Sequence, residues 1–130
     1  MRALQGQSKE QILAPPLLSG KLPSKLELIG RGSYLKKDRQ AIRGTGYVVD
    51  SLEATLWCFT HTNSFRECVL MAANLGDDAD TTAAQAGQIA GAFYGEGAIP
   101  AEWVAKLTMM TEIRDMADAL ADATIPQPQC

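Results

Sequence analysis

Apolar residues along most of this chain recur at intervals of three and four positions, the spacing of one face of an α-helix. The two clearest stripes are Val48, Val49, Leu52, Leu56 and Phe59, followed by Phe65, Cys68, Val69, Ala72 and Leu75. No segment alternates apolar and polar residues in the way that a half-buried strand does. The pattern therefore predicts an all-α fold, a helical bundle.

Helix starts are indicated by a hydroxyl or carboxylate residue that is followed three positions later by Glu or Gln, the capping-box pattern. It occurs at residues 8–11, 24–27, 50–53 and 64–67. Pro15 and Pro16 stop the first helix, and the second is expected to end near Gly30 or Gly32. Residues 31–47 are then a long connection. Glu53 and Glu67 are interpreted as capping residues.

Three further helices are predicted. One begins around Asp80 and ends near Tyr94, one begins at Pro100, and one has its apolar positions at 113, 116, 117 and 120. Pro126 and Pro128 prevent an ordinary helix beyond them. We therefore predict one domain over residues 1–124 and a flexible tail at 125–130.

Composition narrows the class of protein. The chain has 130 residues, of which 46% are hydrophobic and 21% charged, as in ordinary globular domains. Its net charge of -3 argues against nucleic acid as a partner. It has no apolar run long enough for a bilayer and no signal-peptide pattern. Three cysteines without metal-ligand spacing favour the cytoplasm.

The chemistry-bearing stretch is the acidic turn at residues 76–81, Gly-Asp-Asp-Ala-Asp-Thr. Its three carboxylates repel one another, and a helix N-terminus offsets this by only ~0.3–1 kcal/mol per group. A divalent cation would supply the missing countercharge, and oxygen donors favour Mg²⁺, Mn²⁺ or Ca²⁺. An EF-hand is excluded because the loop lacks its glycine and its bidentate glutamate. The alternative is a capped, solvated acidic turn.

The helix after this turn has a face of small residues. Ala83, Gly87, Gly91 and Gly95 recur every four positions. Each interior glycine costs ~1 kcal/mol relative to alanine, so this face predicts a second helix packed very close to it. The acidic turn is then expected at the mouth of a buried helix.

Residues 76–84 and 87–95 resemble the C-terminal motif of the ADP-ribosylglycohydrolase family, as do residues 43–54 and 99–103. That family includes the enzyme that removes ADP-ribose from dinitrogenase reductase. The resemblance implies a partial ADP-ribosylglycohydrolase fold and a two-metal centre of Mg²⁺ or Mn²⁺, which hydrolyses the bond between ADP-ribose and a side chain. It makes Asp78, Asp80 and Thr81 metal ligands, and places Gly46 and Tyr47 in the ADP-ribose site. Tyr47 could equally be a core aromatic.

The chain also departs from the family. Family members are about twice as long, and their N-terminal half carries a Thr-Asp-Asp segment and an acidic residue that complete the metal site. Here Asp77 and Asp78 are the only adjacent aspartates. Three oxygens from one turn cannot fill two coordination shells. The expectation is a truncated C-terminal half that is inactive alone because it lacks these ligands. No residue of the chain is identifiable as a general base.

The expected partners are ADP-ribose or an ADP-ribosylated protein, together with either a second copy of the chain or a complementing N-terminal half. Self-association is expected through exposed helix faces, including a groove at Gly87 and Gly91. Two other hypotheses remain open: a non-catalytic structural or ligand-binding descendant of the family, and a helical metal-binding module unrelated to ADP-ribose. His61 is interpreted as a surface residue, and the basic residues between 31 and 43 as a solvated loop or a contact to a diphosphate.

Overall fold

The computed structural model describes residues 3–14 and 23–124, and every regular element within them is helical. The α-helices are α1 (Lys9–Ile12), α2 (Ser24–Gly30), α3 (Val48–Thr60), α4 (Phe65–Ala73), α5 (Ala79–Tyr94), α6 (Ala101–Val104) and α7 (Met110–Thr124). Short 3-10 turns occupy Ala3–Gln5, Ser33–Lys36, Arg39–Ala41 and Glu96–Ala98. The all-α prediction is confirmed. The proposed stop at Pro15 and Pro16 and the tail at 125–130 lie outside the described residues.

The chain forms two compact units, Met1–Ile99 and Pro100–Cys130. The first contains α1 to α5 and the acidic turn, and the second contains α6 and α7. No helix in the part of the chain that the structure describes combines the length and the apolar character needed to cross a bilayer. The extent of the domain, residues 1–124, stays a prediction.

The core of the first unit lies where α3, α4 and α5 meet. On α4 the predicted stripe is largely confirmed, because Phe65, Cys68 and Ala72 are buried and Val69 is half-buried. Leu75, the last residue of the stripe, is buried just after the helix ends. Cys58 of α3 is buried as well, and this burial raises the pKa of its thiol to about 12. It therefore acts as a small apolar side chain and not as a reactive thiol.

The predicted buried face of α3 is confirmed only in part, because Phe59 is buried but other positions of the stripe are not. Val48 is 69% exposed and Leu52 is 37% exposed, whereas Ser51 and Thr55 are buried. The reason lies on α5: Thr55 Oγ1 donates to Gln85 Oε1 at 3.1 Å, and Gln85 Nε2 donates to Ser51 Oγ at 3.3 Å. Hydrogen bonding removes most of the cost of burying these polar groups, so Ser51 and Thr55 pack inward beside the apolar residues of α3.

Two of the four predicted capping boxes need correction. At residue 24 no side-chain cap forms, because α2 already begins at Ser24 and its N-cap is Pro23. α3 begins at Val48, two residues before Asp50, and Tyr47 is its N-cap. Glu53 is therefore not a cap. Its carboxylate accepts hydrogen bonds from Lys37 Nζ at 2.8 and 2.9 Å.

The other two helix starts agree with the predicted pattern. The box at Ser8 is complete, with both reciprocal hydrogen bonds present. At the start of α4, Ser64 Oγ accepts from the amide of Glu67 at 3.1 Å. The Glu67 carboxylate accepts from the amide of Asn63 at 3.0 Å, one residue before the expected partner.

These caps lead to a prediction about stability. Replacing Ser64 by Ala should lower the free energy of unfolding by about 1 kcal/mol, since one amide at the start of α4 loses its acceptor. Ser24→Ala is the matched control and should change it by less than about 0.5 kcal/mol, because Ser24 accepts no capping bond. Urea denaturation measures both. Equal losses in the two variants would contradict the capping assignment.

The glycine face of α5 is turned toward α4. A Cβ added at Gly87 would lie 3.9 Å from Val69 Cγ2, and one at Gly91 would lie 3.7 Å from Phe65 Cε2. A second helix, α4, thus packs on this face, as predicted, while Gly87 and Gly91 stay half-buried, so the predicted groove is partly covered. Both distances are ordinary contacts, so this packing does not require glycine. Self-association of the chain stays a prediction.

Candidate metal centre

The acidic turn connects α4 to α5 through two residues in the left-handed region, Gly76 (φ 81°) and Asp77 (φ 53°). Glycine adopts this conformation freely, and aspartate is among the few other residues that tolerate it. α5 then begins at Ala79 with Asp78 as its N-cap residue, but the Asp78 side chain makes no capping hydrogen bond. The carboxylate of Asp78 is therefore not used to cap the helix.

The backbone of Asp78 is held on both sides. Its amide donates to the carbonyl of Gly44 at 2.8 Å. Its own carbonyl accepts from the amide and from Oγ1 of Thr82, each at 3.1 Å. Gly44 and Thr82 are both buried, and a Cβ at Gly44 would lie only 2.8 Å from Thr82 Oγ1. Glycine is thus required where this loop meets the acidic turn.

The loop that contains Gly44 also brings Gly46 to the site. A Cβ at Gly46 would lie 3.5 Å from Asp78 Oδ2, so the backbone of Gly46 runs beside this carboxylate. Tyr47 follows at the N-cap of α3 and is 54% exposed, which excludes the core interpretation of its ring. The Lys25 ammonium lies 5.4 Å from the centroid of that ring. An exposed aromatic thus stands one residue from the glycine that borders Asp78.

The carboxyl groups of Asp78 and Asp80 interact directly. A hydrogen bond from the Asp78 side chain holds the pKa of Asp80 below its usual range, and the amides of Thr81 and Asp80 act in the same direction. Asp78 is half-buried, whereas Asp80 and Thr81 are exposed at the start of α5. Two carboxyl groups within hydrogen-bonding reach of each other are close enough to contact one cation.

The donor set fits a hard divalent cation in kind but not in number. Two carboxylates and an adjacent hydroxyl are oxygen donors of the type that Mg²⁺ and Mn²⁺ prefer. Within residues 3–14 and 23–124, no three His, Cys, Asp or Glu side chains come together as a metal-binding group. These donors are therefore fewer than a complete coordination shell requires.

Two supporting residues were missed by the sequence analysis. Thr82 fixes the carbonyl of Asp78, and the signal for it was a threonine four positions after an N-cap residue, where its hydroxyl can bond back to the backbone. Thr45 Oγ1 donates to Asp50 Oδ2 at 2.9 Å and accepts from the amide of Tyr47 at 3.2 Å. These bonds order the loop between Gly44 and α3.

Other candidate residues have structural roles. His61 is exposed and stacks on Trp57 with 4.5 Å between ring centroids, in agreement with its interpretation as a surface residue. In the basic segment, Lys37 pairs with Glu53, and Arg39 donates to the carbonyl of Asn74 at 3.0 Å. The basic side chains of Lys37 and Arg39 therefore interact with other groups of the protein.

Comparison with known proteins extends the resemblance seen in the sequence. The chain is 48% identical over 120 residues to ADP-ribosylarginine hydrolase Tri1 of Pseudomonas putida, covering 92% of this chain and 32% of that protein. It is 42% identical over 80 residues to ADP-ribosyl-[dinitrogen reductase] glycohydrolase of Rhodospirillum rubrum, covering 60% of this chain and 27% of that protein. It thus spans about a third of the length of these curated relatives.

The fold comparison agrees. A solved structure described as an ADP-ribosylglycohydrolase-related protein complex matches 95% of this chain and 43% of its own, with a TM-score of 0.85 and 38% sequence identity. The family model for ADP-ribosylglycohydrolase matches residues 2–129, nearly the whole sequence. This chain belongs to the ADP-ribosylglycohydrolase family.

Proposed function

We propose that this chain contributes one half of a dinuclear-metal active site that hydrolyses the bond between ADP-ribose and a protein side chain or a related ADP-ribosyl compound. The observation that supports this most strongly is the Asp78–Asp80 pair. The two carboxyl groups lie close together. The Asp78 side chain makes no capping hydrogen bond, and the hydrogen bond from its amide to the Gly44 carbonyl fixes the backbone at this position.

In this proposal Asp78 and Asp80 are ligands of Mg²⁺ or Mn²⁺, and Thr81 adds a hydroxyl donor at the same helix start. Asp80, whose pKa lies below its usual range, is ionised at neutral pH, which is the form that binds a cation. When bound, the metal pair supplies a polarised water and a means of orienting the ribose hydroxyls. No residue of this chain is assigned as general base.

The ADP-ribose site would begin at the loop beside the acidic turn. Gly46 has no side chain to fill the space next to Asp78 Oδ2, so a substrate hydroxyl can approach there. Tyr47 offers an exposed ring in the next position, a surface for a sugar or a base. The first substrate to test is ADP-ribosylarginine, since that is the substrate named for the relative with 48% identity.

The ligand count requires further donors from outside these 130 residues. We propose that a complementing polypeptide provides them, because the chain spans only about a third of its curated relatives. The chain alone is then expected to bind metal weakly and to be inactive. A cytoplasmic setting also stays a prediction.

A second candidate function is a non-catalytic descendant that keeps the fold for ligand binding or assembly. The observation in its favour is that no three acidic, histidine or cysteine side chains cluster in the residues that the structure describes. It differs from the first proposal in predicting that no added polypeptide restores activity.

The test is release of ADP-ribose from ADP-ribosylarginine in the presence of Mn²⁺. The chain is assayed alone and mixed with the part of the Pseudomonas putida relative that the 120 matched residues do not cover. We expect release from the mixture only, and its loss when the metal is chelated. A mixture that forms a stable complex but releases no ADP-ribose would support the non-catalytic descendant.

A further inference from the structure

A second cation-binding arrangement lies in the same compact unit, at the end of α3, and the proposed activity does not use it. The Lys9 ammonium donates to the carbonyl of Phe59 at 2.6 Å and also to the carbonyl of Thr62. The Phe59 carbonyl is in the last turn of α3, where carbonyls have no partner within the helix and the helix dipole is negative. The end of α3 therefore favours a cation both through its free carbonyl acceptors and through the negative end of the helix dipole.

Three aromatic rings surround the same ammonium. The centroids lie 4.5 Å from Lys9 Nζ for Phe59, 5.4 Å for Tyr94 and 5.7 Å for Phe93. All three are within the range over which a ring attracts a cation. The rings also pack edge to face, with centroids 5.4 Å apart for Phe59 and Phe93 and 4.8 Å apart for Phe93 and Tyr94. We call the three rings and the carbonyls of Phe59 and Thr62 the cage, and the mutual packing of the rings fixes its shape.

The chemistry of this cage selects among cations. Its two carbonyl acceptors, those of Phe59 and Thr62, require a ligand with N–H donors, and its ring faces require a positive charge. A primary alkylammonium has both. A quaternary ammonium has the charge without the donors, and an alcohol has a donor without the charge.

Lys9 occupies the cage, and the segment to which it belongs, residues 3–14, has few other residues that pack into the protein. Neither Ala3–Gln5 nor α1 has a buried residue. α1 is a single turn of four residues, too short to be stable by its own hydrogen bonds. Through Lys9 this segment is hydrogen-bonded to the carbonyls of Phe59 and Thr62, which lie 50 and 53 positions later in the sequence.

We propose that the carbonyls of Phe59 and Thr62, together with the rings of Phe59, Phe93 and Tyr94, form a binding site for a primary alkylammonium. Lys9 occupies this site within the same chain, and its binding holds residues 3–14 against the helical bundle. The site is separate from the Asp78 turn, so this proposal does not depend on the proposed hydrolase activity.

Hydrogen exchange tests whether Lys9 holds residues 3–14 against the helical bundle, a role that we call the latch. Replacing Lys9 by Met keeps a long apolar side chain and removes the charge, so amides in residues 3–14 should lose about tenfold to a hundredfold in protection while α4 and α5 keep theirs. Lys25→Met is the matched control, because Lys25 also lies over a ring, that of Tyr47, but is exposed. It should leave residues 3–14 unchanged. Unchanged protection in Lys9→Met, or an equal loss throughout the unit, would overturn the latch.

Chemical rescue tests the cage itself. In Lys9→Ala the cage has no ligand, and n-butylammonium should shift the amide resonances of residues 59–62 saturably, with a Kd in about the millimolar range. Tetramethylammonium and n-butanol should not produce this shift, nor should n-butylammonium with the unaltered chain. Equal responses to the three compounds, or none to n-butylammonium, would overturn the ammonium site. Tyr94→Leu in the Lys9→Ala background should weaken the response, because it removes one ring and also the hydroxyl that donates to the Thr62 carbonyl at 3.4 Å.

Discussion

Replacing Asp80 by Asn is expected to lower the Mn²⁺-dependent release of ADP-ribose by the complemented protein at least about a hundredfold. The reason is that a metal ligand supports several kcal/mol of transition-state stabilisation, and each 1.36 kcal/mol is a factor of about ten in rate. Asp80 is exposed, so the variant should unfold at nearly the same urea concentration as the unaltered chain. The measurement is kcat/KM at saturating Mn²⁺, with urea denaturation alongside.

The matched control for Asp80→Asn is Asp77→Asn. Asp77 belongs to the same turn and is also exposed, and its φ of 53° suits asparagine as well as aspartate. Its loss should reduce kcat/KM by less than about threefold, since an exposed charge that is not a ligand acts only through screened electrostatics. Equal effects of the two substitutions would show that the turn acts through net charge and not through specific ligands.

Replacing Gly44 by Ala is expected to lower the free energy of unfolding by about 1–3 kcal/mol. The new Cβ would stand 2.8 Å from Thr82 Oγ1, which is closer than such atoms approach in folded proteins. Thr82 is fully buried and hydrogen-bonded to the carbonyl of Asp78, so it cannot move away without breaking that bond. Urea denaturation of the isolated chain measures the loss without requiring metal or substrate.

Gly46→Ala is the control for Gly44→Ala. It lies in the same loop, but its Cβ would meet Asp78 Oδ2 at 3.5 Å, an ordinary contact distance. We expect a change of less than about 0.5 kcal/mol in the free energy of unfolding. If Gly44→Ala is as stable as Gly46→Ala, the loop does not hold the acidic turn in the manner described.

The helices that could be predicted best from the sequence are those whose burial follows from local apolar spacing. α4 is the clearest case, because its stripe at Phe65, Cys68 and Ala72 is its buried face. α3 shows the limit of this reasoning. Its inward face contains Thr55, and burial of that residue depends on Gln85, thirty positions away on another helix. Apolar periodicity within one segment has no information about such a partner.

In the candidate site, too, some features follow from the local sequence and others depend on residues far apart in the chain. Asp78 and Asp80 could be singled out as candidate ligands from the sequence, because charge repulsion and donor type are properties of the local sequence. The contact between Asp78 and Gly44 joins residues 34 positions apart, and only the family resemblance suggested that the two segments meet. The role of Thr82 was not predicted, because a hydroxyl bond to the backbone leaves little trace in composition.

Isothermal titration calorimetry with Mn²⁺ tests the central claim, that Asp78, Asp80 and Thr81 are the ligands this chain supplies to a shared metal centre. The sample is the chain mixed with the remaining part of the Pseudomonas putida relative, compared with the Asp78→Asn/Asp80→Asn double variant in the same mixture. We predict saturable Mn²⁺ binding to the unaltered mixture and its loss in the variant, while the two polypeptides still associate. Undiminished Mn²⁺ binding by the double variant would contradict the claim.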